Sequence, residues 1–250
     1  MRADLSGQVA LVSGGAGGIG SAICRELAGA GATVLVGYAG QPERAAALAG
    51  TLPGPGAHRA LRLPVDDSAS LAAAAAAVRE REGRLDLLVN NAGITTPVPH
   101  HDLDALSDEW FDAILRVNVR GAFACVRAFA PLLRAGGEGL VVNISSVAGR
   151  TGLGSNVAYC ASKAALDSLT QSLGRALAPE IRVVSVSPGW VDGDYAARMP
   201  PELVRAQAER TPLGRIARPQ EVARAVLAVA THLTFSTGCV IPVDGGRPLG

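Results

Sequence analysis

A short apolar strand, a glycine-rich turn, a helix and a second apolar strand follow one another at the start of the chain. Residues 8–13 form the first apolar run, and the turn, residues 14–20, carries five glycines. Apolar side chains at helical spacing then continue until Gly31, which ends the helix. Residues 33–36 are β-branched and continuous, as in a strand covered on both faces of a parallel sheet. This β-α-β unit constrains the fold more than any other stretch.

The same alternation of apolar strand and helix continues to the end of the chain. It predicts one α/β domain over residues 1–250, a Rossmann-like doubly wound parallel sheet of about seven strands with helices on both faces. Further strands are predicted at 60–65, 85–89, 140–144, 181–186 and 239–241, and helices at 42–49, 68–82, 107–118, 121–134, around Tyr159 and at 219–232. The connection 188–217 is long, irregular and rich in proline, so we expect a lid over a substrate site around 190–217.

Charge and cysteine usage exclude several classes of protein. The formal net charge is +1 and no basic stripe is present, so nucleic acid is not an expected partner. The four cysteines are scattered without zinc-like or disulfide-like spacing, and we expect no metal site. No apolar run reaches the roughly 18 residues that span a bilayer, and the N-terminus lacks an apolar signal core. We therefore expect a cytoplasmic protein that does not act at a membrane.

Tyr159 and Lys163 form the first candidate for chemistry. Residues four apart on a helix lie over one another, about 6 Å apart along the axis. A fixed ammonium at that range favours the phenolate and lowers a tyrosine pKa that is ordinarily about 10. The pair would then act as an acid or base near neutral pH. Taken alone, the pattern more often marks a partly buried tyrosine beside a solvated lysine.

The glycine-rich turn is the second candidate. Gly14, Gly18 and Gly20 stand between a strand and a helix, where a helix N-terminus supplies free N–H groups and a dipole that favours a pyrophosphate. Their spacing differs from the G-x-G-x-x-G dinucleotide fingerprint, so a merely tight turn between strand and helix also fits.

In order and spacing, six motifs together resemble the short-chain dehydrogenase/reductase family, in particular its 3-oxoacyl-thioester reductases. They are Gly14/Gly18/Gly20, Asn90-Asn91-Ala92-Gly93, Asn118, Ser146, Tyr159 with Lys163, and Pro188-Gly189. The resemblance runs from the first strand to residues 243–246. It implies an NAD(P)-dependent oxidoreductase that interconverts a carbonyl and a secondary alcohol by hydride transfer.

The resemblance assigns a role to each catalytic position. It makes Tyr159 the general acid/base, Lys163 the residue that lowers its pKa and binds the nicotinamide ribose, and Ser146 the donor to the substrate oxygen. Asn118 would hold a water in the proton relay. The cofactor-binding residues that it implies are Gly14, Gly18, Ile19, Gly20, Tyr38, Asn91, Ala92, Gly93, Tyr159, Lys163, Pro188, Gly189 and Val191.

Three positions depart from the family pattern. Pro64 stands where an aspartate that contacts adenine is usual, with Asp66 and Asp67 just beyond, and Gly193 stands where a threonine usually helps to hold the cofactor. The second strand ends in Gly37-Tyr38, without the carboxylate that repels a 2′-phosphate. We therefore expect NADP(H) rather than NAD(H), with Arg44 as a remote basic candidate.

The substrate is the least defined part of the prediction. Trp190 and Tyr195 indicate a small-molecule site that tolerates apolar or aromatic groups, whereas His100 and His101 have no visible metal partners. A free ketone and a 3-oxoacyl carrier-protein thioester both fit the motifs. A cofactor-binding regulatory protein without turnover is the alternative outside enzymes. By family resemblance we expect a homotetramer, or else a homodimer, with alanines such as Ala124 and Ala161 at the helical interface.

Overall fold

All seven strands of the sheet run parallel, in the order β3-β2-β1-β4-β5-β6-β7, in a computed structural model that describes residues 4–249. The strands are β1 Val9–Val12, β2 Thr33–Tyr38, β3 Arg59–Arg62, β4 Leu87–Asn90, β5 Gly139–Ile144, β6 Ile181–Pro188 and β7 Val240–Val243. The α-helices are α1 Gly18–Gly29, α2 Pro42–Thr51, α3 Ser68–Arg81, α4 Asp108–Leu115, α5 Ala122–Ala135, α6 Ala148–Thr151, α7 Val157–Ala176, α8 Pro201–Glu209 and α9 Pro219–Thr231. The Rossmann-like prediction is confirmed.

Two apolar cores lie on opposite faces of this sheet. Side chains alternate between the faces of a strand, so Val12 of β1 packs on one side and Leu11 on the other. The first core includes side chains of α1, α2 and α9, and the second includes side chains of α3 and α5. Both faces of the central strands are therefore covered by apolar side chains, which is why these strands are continuously apolar in sequence.

The order in which successive strands are added to the sheet reverses direction between β1 and β4. β1 pairs with β2 on one side and with β4 on the other, so the chain leaves the first half of the sheet and starts the second there. Parallel sheets bind ligands at such a switch point, outside the carboxyl ends of the strands. The glycine-rich turn after β1 and the Asn90-Asn91 segment of β4 meet at this edge.

Two segments differ from the prediction. The helices α4 and α5 are joined by a π-helical turn, Arg116–Gly121, so Asn118 lies inside one continuous helical stretch instead of at the end of a helix. The region expected to be irregular contains a 3₁₀ turn, Ala196–Arg198, and the nine-residue helix α8. Pro201 starts α8 at its first turn, where a proline costs no backbone hydrogen bond.

The segment 190–217 is docked onto the end of the chain. Arg247 donates hydrogen bonds to the backbone and side-chain oxygens of Gln207, and Leu213 N–H donates to Gly245 O at 3.2 Å. Across the described range 4–249, no helix combines the length and apolar character needed to cross a bilayer.

Candidate active site

Helix α7 carries Tyr159 and Lys163 on one face beside the end of β5. The Lys163 Nζ atom lies 5.6 Å from the centre of the Tyr159 ring. Lys163 is only 6% exposed, and its Nζ donates to the backbone oxygen of Ile144 at 2.8 Å. The lysine is therefore held by the last residue of β5, and the solvated-lysine interpretation is wrong.

The pKa values of this pair differ from the expectation. Burial raises the pKa of Tyr159 to about 12, and a hydrogen bond with Ser146 offsets part of that rise. Burial also lowers the pKa of Lys163 to about 8, although the Asp167 carboxyl one turn further along α7 opposes this effect. The predicted lowering of the tyrosine pKa is wrong for this structure, because the cost of burying the phenolate exceeds any stabilisation by the ammonium. At neutral pH Tyr159 is a phenol and Lys163 is largely charged.

Ser145 and Ser146, which follow β5, have different partners. The Ser145 hydroxyl donates to the backbone oxygen of Lys163 at 3.3 Å, inside the protein. The Ser146 hydroxyl accepts from Ala148 N–H at 3.2 Å, and its proximity to Tyr159 lowers the pKa of that phenol. Ser146, rather than Ser145, is thus the serine beside Tyr159, as the sequence spacing predicts.

Asn118 is 1% exposed and joins the segment after β4 to helix α7. Its Oδ1 accepts from Ile94 N–H at 2.8 Å, and its Nδ2 donates to Ile94 O at 3.0 Å and to Ser162 Oγ at 3.1 Å. Both amide protons are used, so the side chain has no donor left for a water. The π-helical turn that holds Asn118 is a feature often found at functional sites.

Gly93 lets the backbone lie between Asn118 and Lys163. A side-chain carbon at this position would stand 3.2 Å from Asn118 Oδ1 and 3.8 Å from Lys163 Nζ. The four predicted catalytic residues are therefore gathered at one place.

Close backbone contacts hold the glycine-rich turn against β4. Asn91 Nδ2 donates to Ser13 O and Gly14 O, each at 3.0 Å, and the Ser13 hydroxyl accepts from Asn91 N–H and Ala92 N–H. Gly14 has φ of +60°, and a β-carbon on Gly20 would lie 2.3 Å from Gly14 O. Gly20 is therefore required for packing within the turn, whereas Gly14 faces a cleft.

That cleft has a volume of about 460 Å³ and lies where the ends of β1, β2 and β4 meet. Five of the predicted cofactor residues line it, namely Gly14, Tyr38, Asn91, Ala92 and Gly93. The sequence did not single out the other lining residues, which are Ala16, Gly17, Gly37, Ala39, Gly40 and Gln41. They are mostly small residues that leave room for a ligand. Their position at or directly after the ends of two strands was the sequence signal that could have predicted them as part of the cleft.

The N-terminus of α1 opens beside the cleft. Its N-cap residue, Gly17, supplies no side-chain hydrogen bond. The Gly18 N–H donates instead to the Asp194 carboxylate at 3.2 Å, and Arg44 lies 3.8 Å from the same carboxylate. An anion is therefore accepted at this helix end, as the dipole favours.

The remaining predicted cofactor residues lie further along the edge. Ile19 and Val191 pack, half-buried, against the first core. Pro188 ends β6, and Gly189 N–H donates to Val243 O at 3.1 Å. A side-chain carbon on Gly189 would be 3.1 Å from the backbone of Asp244, so a glycine is needed for this approach.

The aromatic residues that follow β6 form one wall near Tyr159. The rings of Trp190 and Tyr195 lie 5.7 Å apart and are tilted by 58°. Tyr195 is near enough to Tyr159 to raise its pKa slightly. This wall gives the site an apolar side beside its hydroxyl groups.

The departures from the family pattern have structural explanations. The Asp67 carboxylate accepts from Ala69 N–H and Ser70 N–H as the N-cap of α3. Asp66 lies 3.7 Å from Arg116. The Asp67 carboxylate is thus engaged as a cap, whereas Asp66 is held only by a solvent-exposed pair with Arg116. At Gly193 a β-carbon would meet nothing within 4 Å, so the missing side chain leaves open space there.

The two histidines do not form a metal centre. His100 Nε2 is 3.0 Å from Gly154 O, and His101 is exposed. Among residues 4–249, no three His, Cys, Asp or Glu side chains gather closely enough to bind a metal.

One polar residue at this site was missed by the sequence reasoning. Asn156 is 1% exposed and accepts from the backbone N–H of Tyr159 at 2.7 Å. Its position directly before a helix, three residues ahead of the tyrosine, is the usual signal of an N-cap.

The site fits a dinucleotide cofactor. The cleft between β1, β2 and β4 is lined by small residues. The N-terminus of α1 beside it, where Gly18 N–H binds the Asp194 carboxylate, is an anion site of the kind that suits a pyrophosphate. When bound, such a cofactor supplies or accepts a hydride.

Comparison with known proteins agrees with this geometry. Residues 14–247 match the family model described as enoyl-(acyl carrier protein) reductase. The cis-4-hydroxycyclohexanecarboxylate dehydrogenase of Sinomonas cyclohexanicum is 38% identical, with 96% of each chain covered. A putative ketoacyl reductase of granaticin polyketide synthesis from Streptomyces violaceoruber is also 38% identical, again over 96% of each chain.

A solved structure extends the comparison to the fold. The crystal structure of a putative short-chain dehydrogenase/reductase from Burkholderia xenovorans is 35% identical, superimposes with a TM-score of 0.91, and is matched over 97% of this chain and 98% of its own. This chain therefore belongs to the short-chain dehydrogenase/reductase family, and it is an oxidoreductase that interconverts a carbonyl group and an alcohol.

Proposed function

We propose that this enzyme is an NADPH-dependent reductase of small, largely apolar ketones, with Tyr159 as the proton donor. One observation carries the proposal: the buried Lys163 Nζ atom lies 5.6 Å from the centre of the Tyr159 ring, on the same face of α7. Burial raises the pKa of Tyr159 to about 12, so the phenol keeps its proton at neutral pH. That proton can pass to a substrate oxygen that gains negative charge during a reduction, and the Lys163 ammonium stabilises the phenolate that is left.

The other site residues have supporting roles in this proposal. Ser146 donates a second hydrogen bond to the substrate oxygen, and two donors aimed at one oxygen stabilise its developing charge. Lys163 keeps a positive charge beside the acid at neutral pH and binds the cofactor ribose. Asn118 orders the segment at Ile94 and supports the proton relay through its backbone.

The preference for NADPH rests on the end of β2. Tyr38 lines the cofactor cleft at the position where a carboxylate would repel a 2′-phosphate. Arg44, the basic residue beside this region, is 53% exposed and is only loosely paired with Asp194. It can therefore turn towards a phosphate at little cost, because a pair this exposed is weak.

The aromatic wall supports a free ketone as the substrate class. Trp190 and Tyr195 give one side of the site an apolar surface, and a similar enzyme is named for a cyclohexane-ring alcohol. A 3-oxoacyl thioester is the second candidate, because another similar protein is described as a ketoacyl reductase.

A substrate panel tests these points together. Purified enzyme is assayed with cyclic ketones, open-chain ketones and 3-oxoacyl thioesters, each with NADPH and with NADH at equal concentration. We expect the highest kcat/KM with a cyclic ketone and NADPH. A clearly higher rate with NADH refutes the coenzyme proposal, and a preference for thioesters selects the second candidate.

We also propose a cytoplasmic homotetramer. Two separate apolar patches are exposed, one with Trp110, Phe111 and Phe123 on α4 and α5, and one with Leu233 and Phe235 after α9. Two different self-complementary patches are what a tetramer with dihedral symmetry requires. Ala124 has no part in this, because it is buried in the chain's own core, whereas Ala161 is exposed on α7.

Light scattering at micromolar concentration tests the assembly. The expected mass is four times the 25.4 kDa of one chain, and a monomer contradicts the proposal. All four cysteines are free thiols, which suits a reducing compartment. Fractionation of the native cells tests the location, and recovery of the protein outside the cytoplasm contradicts it.

A further inference from the structure

Asn156 caps the helix that carries the proposed acid. Its backbone is extended, with φ of −167° and ψ of 172°, and its Oδ1 accepts from Tyr159 N–H at 2.7 Å. The first turn of a helix tends to fray because its N–H groups have no intrahelical partners. In α7 this first turn holds Tyr159, so the cap acts directly on the backbone of that residue.

The other end of the Asn156 amide reaches across to the segment that follows β4. Its Nδ2 donates to Thr96 O at 2.7 Å and to Thr95 Oγ1 at 3.3 Å. Residues 92–99 contain neither helix nor strand, so their position depends on such contacts. Asn118 holds the start of the same segment through both backbone groups of Ile94.

Neighbouring contacts make the two segments one unit. The hydroxyls of Thr95 and Ser155 are hydrogen-bonded, and Val98 N–H donates to Ser155 O at 2.8 Å. His100 lies within hydrogen-bonding distance of Gly154 O. Asn156 is the buried member of this unit, and it alone also bonds the backbone of Tyr159. A shorter cap such as serine could accept from Tyr159 N–H but lacks an amide to reach Thr96 O.

We propose that Asn156 is a positioning residue for the reaction: it ties the first turn of α7 to residues 95–96 and thereby fixes where the Tyr159 hydroxyl stands. The inference rests on the proposed role of Tyr159 as the acid. A displacement of about 1 Å at a reacting group can cost on the order of 10²-fold in rate, so a tether of this kind acts on kcat more than on binding. The segment 94–98 is then held in place by the same residue that holds the acid.

Two variants separate capping from tethering. Asn156→Ser keeps an oxygen that accepts from Tyr159 N–H and loses the bonds to Thr95 and Thr96, whereas Asn156→Ala loses both. The matched control is Ser107→Ala, which removes a cap of the same geometry from α4, where Ser107 Oγ accepts from Trp110 N–H. The measurements are kcat, KM for the ketone, NADPH affinity by fluorescence, the melting temperature, and the phenolate absorbance of Tyr159 on titration with base.

We expect Asn156→Ser to lower kcat by roughly tenfold and Asn156→Ala by on the order of 10²-fold, with NADPH affinity close to wild type. The pKa of Tyr159 should fall towards its ordinary value in both variants, because a loosened first turn admits water. Ser107→Ala should lower the melting temperature only. A wild-type kcat in Asn156→Ser, or a kcat loss that merely matches Ser107→Ala, overturns the proposal.

The double variant Asn156→Ser with Tyr159→Phe distinguishes the two proposals. If Asn156 acts through Tyr159, its substitution adds little further loss of kcat once the acid is gone. Fully additive losses overturn the positioning role. An active Tyr159→Phe enzyme, by contrast, overturns the proposed function, and an inactive one with a wild-type Asn156→Ser overturns only this inference.

Discussion

Replacing Tyr159 with phenylalanine tests the proposed chemistry most directly, because it removes one oxygen and leaves the ring in place. The pKa of about 12 means that almost every enzyme molecule holds this proton at pH 7. The whole population therefore loses its acid. Loss of general acid catalysis typically costs about 10² to 10⁴ in rate, which corresponds to roughly 3 to 5 kcal/mol in activation free energy.

The effect on stability should be much smaller. The substitution leaves the bond from Ala148 N–H to the Ser146 hydroxyl intact. Even the loss of one hydrogen bond would change the free energy of unfolding by only about 0.5 to 1.5 kcal/mol. Tyr159 does not line the cofactor cleft at Gly14, so most of the binding energy for NADPH should remain.

The assay compares kcat for ketone reduction with NADPH binding measured separately by fluorescence. Ser168→Ala is the control, because it removes a hydroxyl from an exposed position of the same helix and should leave both quantities unchanged. Near-wild-type turnover by Tyr159→Phe would refute the reasoning. A variant that no longer binds NADPH would show instead that the hydroxyl serves the cofactor.

Five further predictions follow from the geometry. The value of kcat/KM for NADPH should fall as pH rises through about 8, where Lys163 loses its proton; a flat profile from pH 7 to 9 would contradict this. Lys163→Met should abolish turnover yet raise the melting temperature at pH 7. The pKa of Lys163 in the folded protein is about 8, below the ordinary 10.5, so the neutral amine stabilises the fold at high pH and this stability is lost as pH falls through 8. At pH 7 the buried ammonium therefore destabilises the folded state, and methionine removes that charge. Tyr38→Asp should shift the ratio of kcat/KM values for the two coenzymes towards NADH, and an unchanged ratio would count against this. Gly193→Thr should tighten NADPH binding severalfold, since the added side chain meets open space, and a weaker Kd would count against that. Gly20→Ala should weaken cofactor binding and lower the melting temperature because its methyl group would stand 2.3 Å from Gly14 O, whereas Gly50→Ala, which meets nothing within 4 Å, should be neutral or stabilising.

Local patterns were sufficient for most of the fold. Continuous apolar runs predicted the strands β1, β2, β4, β5 and β6 within a few residues, because strands buried on both faces have little choice of side chain. The edge strands β3 and β7 were also predicted, although they are only partly buried. The helix α8 was missed although Pro201 and Glu202 are typical of a helix start, since the neighbouring prolines indicated an irregular loop. The π turn at Asn118 was also missed. Asn118, which lies in this turn, bonds Ile94 and Ser162, and no local pattern identifies such partners distant in sequence.

The sequence by itself determined the identity and order of the site residues, because their requirements are local. A glycine is needed wherever the backbone must approach another backbone, and a Tyr-Lys pair lies one helical turn apart wherever its chain is helical. What the tertiary structure decided was the state of those groups. Burial between β5 and α7 makes Tyr159 a weaker acid than its free value and Lys163 a less basic amine, opposite to the effect expected for the tyrosine from their spacing alone. It also revealed Asn156 as the link between Tyr159 and residues 95–96. Desolvation and contacts of this kind depend on which distant segments meet, and no local pattern of residues specifies that.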